Sequence, residues 1–414
     1  MTAIPMETAD PYGLMHPERR KDPYTSYARM HRDGPVHYCE PWGAWLVVRY
    51  SDVTAGFRDL RLLSARTGQF GAGLSDEVRK MMEPLARNLA SWTLFLDAPS
   101  HTRLRGLITK AFTPRMVETL RPRIRALIEE LLDAARGKER MEIISELANP
   151  LPVIVIGEML GLPRDDRHRL KRWSDQLAGL IGTGRPTPEQ VKAGLGAILE
   201  FEAYFRTLIA RRRTEPANDL LSALVHAEEQ GSLLSEQELL STCTMLLFGG
   251  HETTTNLIGN GLLALLRHPE QWELLRASPE LLPDAVEEFL RYDPPVQFTN
   301  REASVDMEIG GKAIRKGERV MLMMAAANRD PAQFKDPDTL NVRREELRHM
   351  TLGLGPHYCL GAALGRMEAQ ETFAALMRRF PNLKLEPGAS LDWLDSAGFR
   401  GLLSLPVVLG AEAR

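Results

Sequence analysis

A chain of 414 residues has length for two or three domains of about 150 residues each, or for one large core. Hydrophobic residues at 43% and charged residues at 26% exclude a disordered or collagen-like chain. Fifty-two Lys plus Arg against 55 Asp plus Glu, a net charge of -3, leave no basic excess for nucleic acid.

In chain order, residues 1 to 21 carry acids and prolines where a signal peptide needs a basic start and an apolar centre. They are expected to be a poorly ordered leader to the domain. Ala44 to Tyr50 reads as a strand. Residues 64 to 95 and 181 to 190 are rich in Gly, Pro, Ser and Thr without sustained period, and are expected to be long loops. Thr113 before Pro114 marks a helix start, and apolar spacing continues through Leu131 and Leu132 despite Pro122. The most apolar stretch, 147 to 162, is short for a membrane span and carries Pro150, Pro152 and Glu158. Ser235 opens a capping box for a helix that runs to His268, where Pro269 stops it. Its middle is apolar nearly all round, so it should cross the core. Glu302 to Ile309 and Arg319 to Met324 read as strands around a glycine turn at Gly310-Gly311. The sum is a mainly α fold with small β-sheets, one domain over residues 1–414, expected to be a cytoplasmic monomer with no membrane segment.

Three scattered cysteines, Cys39, Cys243 and Cys359, build neither a disulfide framework nor a close-spaced zinc site. Cys359 lies in HMTLGLGPHYCLGAALGRMEA, where a Gly-rich stretch gives way to a helix from Gly361. The N-terminal end of a helix favours thiolate over thiol, and Gly353, Gly355 and Gly361 let backbone approach a flat ligand closely. A lone cysteine is otherwise a small buried hydrophobe. A second candidate is Gly249-Gly250-His251-Glu252-Thr253, inside the long helix. Two glycines there cost roughly 1 kcal/mol each relative to alanine, so something must pass close to that backbone. Glu252 and Thr253 then read either as a proton-delivery pair or as a satisfied polar pair at a helix crossing. In Glu288-Phe289-Leu290-Arg291 acid and base share a helix face, although Glu287 is also four residues from Arg291.

Taken in order, these elements and the Asn-Arg-Asp-Pro stretch at 328 to 331 resemble the heme-thiolate monooxygenases of the cytochrome P450 family. The resemblance runs from about Asp22 to the C-terminus and is strongest in GLGPHYCLG at 353 to 361 and GGHETT at 249 to 254. It implies the cytochrome P450 fold, with heme b buried between a long central helix and the cysteine-loop helix. It makes Cys359 the axial thiolate ligand of iron, which favours O–O cleavage, with backbone N–H groups of Leu360 and Gly361 tempering the donation. Gly249 and Gly250 would leave room for O2, with Glu252 and Thr253 relaying protons. His101 and Arg105, one helix turn apart, and Arg301 and His357 would hold the propionates. Glu288 and Arg291 would be completed by Arg344 rather than Arg343, in a structural role. The family usually has Phe seven residues before the cysteine. Here Leu352 stands there, which puts the reduction potential in doubt more than heme binding.

By the same resemblance the substrate pocket draws on residues 64 to 95, 173 to 190, 241 to 253, 294 to 300 and 394 to 402. These contain Phe70, Leu74, Leu94, Leu177, Leu180, Leu246, Val296, Phe298 and Phe399, an apolar set for a hydrophobic terpenoid, steroid, fatty acyl or polyketide-like molecule. The 414 residues contain no flavin motif, reductase segment or second metal site, so electrons are expected from a ferredoxin and its NAD(P)H-dependent reductase. Lys110, Arg115, Arg348 and Arg366 would steer that acidic partner. A peroxide-driven peroxygenase or a non-catalytic heme sensor or carrier are the alternatives, and Glu252-Thr253 argues against both. A heme-free cysteine enzyme would need a His base and an orienting acid that cannot be assigned.

Overall fold

The computed structural model describes residues 10–65, 76–181, 187–229 and 231–412. They form two compact units, one of Met1–Leu62, Arg123–Asn149 and Thr253–Arg414, the other of Leu63–Pro122 and Pro150–Glu252. The helices that carry the argument are α1 (Ser100–Ala111), α2 (Arg167–Ile181), α3 (Pro188–Thr214), α4 (Glu236–Arg267), α5 (Leu282–Tyr292) and α6 (Ala362–Arg379). The division between the units falls within α4, after Glu252.

The predicted start of α4 is present: Glu238 N–H donates to Ser235 Oγ at 3.3 Å and Ser235 N–H to Glu238 Oε2 at 2.8 Å. The helix is buried over most of its length, because apolar side chains on all sides leave no face that water would solvate better. Four other expectations need correction. The helix starting at Thr113 stops at Thr119, and a second begins at Arg121, since Pro122 suits a first helical turn but not an interior. The Gly310-Gly311 turn joins Met307–Ile309 to Lys312–Ile314 rather than to the strand beginning at Arg319. Both glycines have positive φ, +55° and +79°, the conformation a two-residue hairpin demands. Within residues 64 to 95, Asp76–Met81 and Glu83–Ala90 are helical, with Leu85 and Leu89 buried one turn apart. From Asp10 onward the N-terminal segment is also folded, with Leu14 buried and a helical turn at Pro17–Lys21.

In the first unit, four strands of one sheet, β1 (Val36–Cys39), β2 (Ala44–Val47), β3 (Thr299–Ala303) and β4 (Arg319–Leu322), run in the order β1-β2-β4-β3. Only β2 and β4 pair in parallel. The C-terminal half of α4 packs with α5 and α6: a Cβ on Gly261 would come within 3.0 Å of both Phe373 and Phe289. Their rings meet edge to face at 5.0 Å. In the second unit α2 and α3 pair through Trp173, Phe201 and Phe205, and Pro150–Met159 is buried almost throughout. No helix among the described residues is long and apolar enough to cross a membrane.

Candidate active site

The loop before α6 is built by glycines. Gly353 and Gly355 have φ of +68° and +65°, and a Cβ at Gly353 would come within 3.3 Å of the His357 carbonyl, so a side chain there meets both strain and a close contact. Cys359 N–H donates to the Leu352 carbonyl at 2.8 Å and Tyr358 N–H to that of Gly355 at 3.1 Å. The result is a tight hairpin ending where α6 starts, with Gly361 as its N-cap. Cys359 is exposed, whereas Cys39 and Cys243 are buried, and burial pushes the Cys243 thiol far above its ordinary value. An exposed cysteine with glycines beside it is of the kind that can give heme iron a thiolate ligand.

Along α4 the burial pattern is most clearly interrupted near Gly249, one turn after partly exposed Met245. Gly249 is exposed and Gly250 and Thr253 are partly exposed in an otherwise buried stretch, and Gly249 and Thr253, four residues apart, share a face. A Cβ at Gly249 would meet nothing within 4 Å, so space lies over that backbone. Glu252 is 8% exposed. In the first unit the exposed Cys359 and its glycine hairpin, and in the second the opened backbone at Gly249, are each features that suit heme b.

The other predicted cofactor contacts divide between the units. In the second, His101 is buried on α1 one turn from Arg105. Burial and then the Arg105 charge hold its imidazole below the usual histidine range. In the first, Arg301 is buried on β3, with Nη1 donating to Thr299 Oγ1 at 3.0 Å and to the Asn300 carbonyl at 2.8 Å. His357 is half-buried.

The charged cluster of α5 is dry. Arg291 donates to Glu288 from Nε at 2.7 Å and Nη2 at 2.9 Å, and both side chains are 0% exposed. Arg344, not Arg343, completes it, with Nε 3.1 Å from Glu288 Oε2. Glu287 instead binds Arg366 at 2.6 Å and His349 at 3.2 Å. Burial alone would raise the Glu287 carboxyl, but these partners outweigh it and hold it at about 2.

Of the pocket candidates, Phe70 and Leu74 lie outside the described residues. Leu94 is exposed, while Leu177, Leu180 and Leu246 are buried. Leu180 closes on Gly194 of α3, where a Cβ would be 2.8 Å away, so it serves helix packing. Val296 forms a bridge with Phe399. Phe298 packs on Trp42 at 5.5 Å beside a buried cluster that includes Tyr27 and Met30. Phe399 lines a pocket with Tyr27, Trp42, Gln297 and Trp393.

Sequence reasoning gave no role to two buried groups. Glu368, nine residues after Cys359 on α6, hydrogen-bonds Thr254, and its Oε2 has no hydrogen-bond partner. Burial raises this carboxyl to about 8, against the smaller opposing effect of Thr254, and so favours its neutral form. His251 is fully buried, with Nδ1 2.8 Å from Ser174 Oγ on α2. The only sequence signal for either was a polar residue in an apolar helical stretch.

Comparison with known proteins agrees with this geometry. The family description "Cytochrome P450" matches residues 198–397. Cytochrome P450 CYP107DY1 of Priestia megaterium is 41% identical, covering 95% of this chain and 97% of its own. The polyketide biosynthesis cytochrome P450 PksS of Bacillus subtilis is 38% identical, covering 96% and 98%. The crystal structure of P450BioI in complex with an acyl carrier protein ligated to hexadec-9Z-enoic acid superposes with a TM-score of 0.88 at 38% identity, covering 95% of this chain and 99% of that one. The chain belongs to the cytochrome P450 family. It is a heme b monooxygenase with the cytochrome P450 fold.

Proposed function

We propose that this monooxygenase, acting as one catalytic domain, hydroxylates or epoxidises a hydrophobic acyl or polyketide-like molecule, using electrons passed by a ferredoxin from its reductase. The observation that carries the reading is the exposed thiol of Cys359 in its glycine hairpin. Heme b, when bound, supplies the iron at which O2 is reduced and one oxygen atom is inserted into the substrate. Cys359 would hold the iron through its thiolate, which would donate electron density to it. Gly249 and Gly250 keep side chains out of the space above the α4 backbone, and Glu252 and Thr253 hold and pass protons there. His101, Arg105, Arg301 and His357 bind the propionates. Glu288, Arg291 and Arg344 fix the approach to the cysteine loop.

The substrate class rests on the apolar character of Leu246, Val296 and Phe399 and on the relatives named for polyketide biosynthesis or bound to an acyl carrier protein. The exposed cations Lys110, Arg115 and Arg348 suit an acidic electron donor. Arg366 is already engaged by Glu287 and Tyr358 and is less suited to it. The reduced, carbon monoxide-bound spectrum of the heme-loaded protein tests the reading. A red-shifted thiolate-heme band is expected, and its absence overturns it. Titrating acyl and polyketide compounds should then shift the heme absorption, which a panel of compact terpenes and steroids should do less well.

A further inference from the structure

Glu252 is nearly buried, so any proton it passes on must first reach it through neighbouring groups. On α2, Lys171, Ser174 and Asp175 lie at the one-turn spacing that puts them on one face, and that face meets α4. Ser174 Oγ holds His251 Nδ1 at 2.8 Å, and ligating atoms of Asp175, His251 and Glu252 all lie within 4.8 Å of one another. The Asp175 side chain is 43% exposed, with Lys171 Nζ 2.6 Å away. A gap of this size between carboxylates is closed directly or by one water making two hydrogen bonds of about 2.8 Å. From α2, Asp175 faces Glu252, and Lys171 pairs with Asp175. Arg172 turns to Glu200, and Arg169 stacks on Trp173 and Tyr204. His251 adds no charge, since burial, then Lys171, lowers its imidazole to about 3. Its Nε2 has no hydrogen-bond partner.

We propose that Asp175 is the solvent-side proton acceptor that supplies Glu252, with Ser174 and neutral His251 positioning the two carboxylates. Solvent protonates the Asp175 carboxylate. The Asp175 O–H then gives that proton to the Glu252 carboxylate, directly or through the one water, and Asp175 returns to its anion. One proton crosses and no electron moves.

This inference rests on the reading of Glu252 as a proton-relay acid, and the test separates the two. In substrate-free heme-loaded protein, the Glu252 carboxyl band, identified by its loss in Glu252→Gln, is titrated by infrared difference spectroscopy. Asp175→Asn should move its midpoint to lower pH, because a neighbouring negative charge is gone. In turnover, Asp175→Asn should lower the fraction of electrons appearing in product by about tenfold, less than the roughly hundredfold low end for a lost general acid or base because water partly replaces the carboxyl, and raise the solvent deuterium isotope effect. Asp175→Glu should restore both, and Lys171→Met should leave coupling within twofold of the parent. The proposal is overturned if Asp175→Asn changes neither midpoint nor coupling, or if Lys171→Met reproduces its loss of coupling. Unimpaired coupling in Glu252→Gln, or a missing thiolate-heme band in the parent, would overturn the earlier reading instead.

Discussion

Around Glu288 both carboxylate oxygens and every side-chain nitrogen of Arg291 and Arg344 have protein partners. These include the carbonyls of Asn328, Lys335, Pro337 and Thr339. The cysteine hairpin in the same unit does the reverse: its backbone is tied internally, but Gly355, Pro356, Tyr358 and Cys359 are exposed. A buried ion cluster whose hydrogen bonds are all used can hold a fold and can do little else. A loop that fixes its backbone and keeps its cysteine at the surface has built a place for another group. The contrast separates residues that resemble one another in sequence, where both are merely polar positions in apolar surroundings.

The strongest test of the contrast is Arg291→Ala. It leaves Glu288 buried with Arg344 alone, and loss of one partner from a buried pair costs about 3–5 kcal/mol. Urea unfolding should show that loss, with less heme-loaded protein recovered. Arg291→Lys should recover little of it, because an ammonium cannot make the paired contact to Glu288. By contrast, Cys359→Ser should unfold within about 0.5 kcal/mol of the parent yet lose the thiolate-heme band altogether. If the serine variant were the unstable one, the assignment of structural and chemical roles would be reversed.

Much of this division was legible in the sequence, for a physical reason. Cys359, Glu252-Thr253 and Glu288-Phe289-Leu290-Arg291 are local strings whose chemistry is carried by neighbours within one or two turns. Helical period also placed α4 and its cap correctly. What was not legible depends on packing between distant segments. Ser174 and His251 are 77 residues apart, and nothing in either helix alone says which faces meet. Glu368 looks like one more acid on a helix until its burial against Thr254 is known. The glycine turn was placed correctly but joined to the wrong strand, because short apolar runs do not specify their partners.

Glu368 sits between the two extremes: it is buried as deeply as Glu288 but pairs with no cation among the described residues. Its carboxyl is raised from 4.5 to about 8, chiefly by burial. Folded protein therefore keeps this proton over a range in which unfolded chain releases it. Stability from this site is complete below about pH 4.5 and is lost as pH rises toward 8. At about 1.4 kcal/mol per pH unit the full loss is on the order of 5 kcal/mol. Glu368→Gln, which cannot ionise, should match the parent at pH 4 and exceed it at pH 8 in denaturant titrations. His251 works in the opposite sense: lowered to about 3, it removes stability as pH falls below about 6.5. Equal pH slopes for Glu368→Gln and parent would mean that Glu368 has water or a partner and belongs with the satisfied groups.

The smallest expected effect is also the most specific to the cysteine loop. Leu352 is held by its backbone, whose carbonyl accepts the Cys359 N–H at 2.8 Å, while its side chain stays partly exposed. Changing that side chain should leave the hairpin, and therefore the position of the thiol, intact. Leu352→Phe should thus bind heme to the same occupancy and unfold at the same denaturant concentration. An aromatic face replacing leucine beside the sulfur would alter the polarity around the thiolate, so the reduction potential should move. A spectroelectrochemical titration of parent and variant decides it. An identical potential would mean that the side chain at 352 points away from the sulfur, and that this chain tunes its thiolate through the backbone alone.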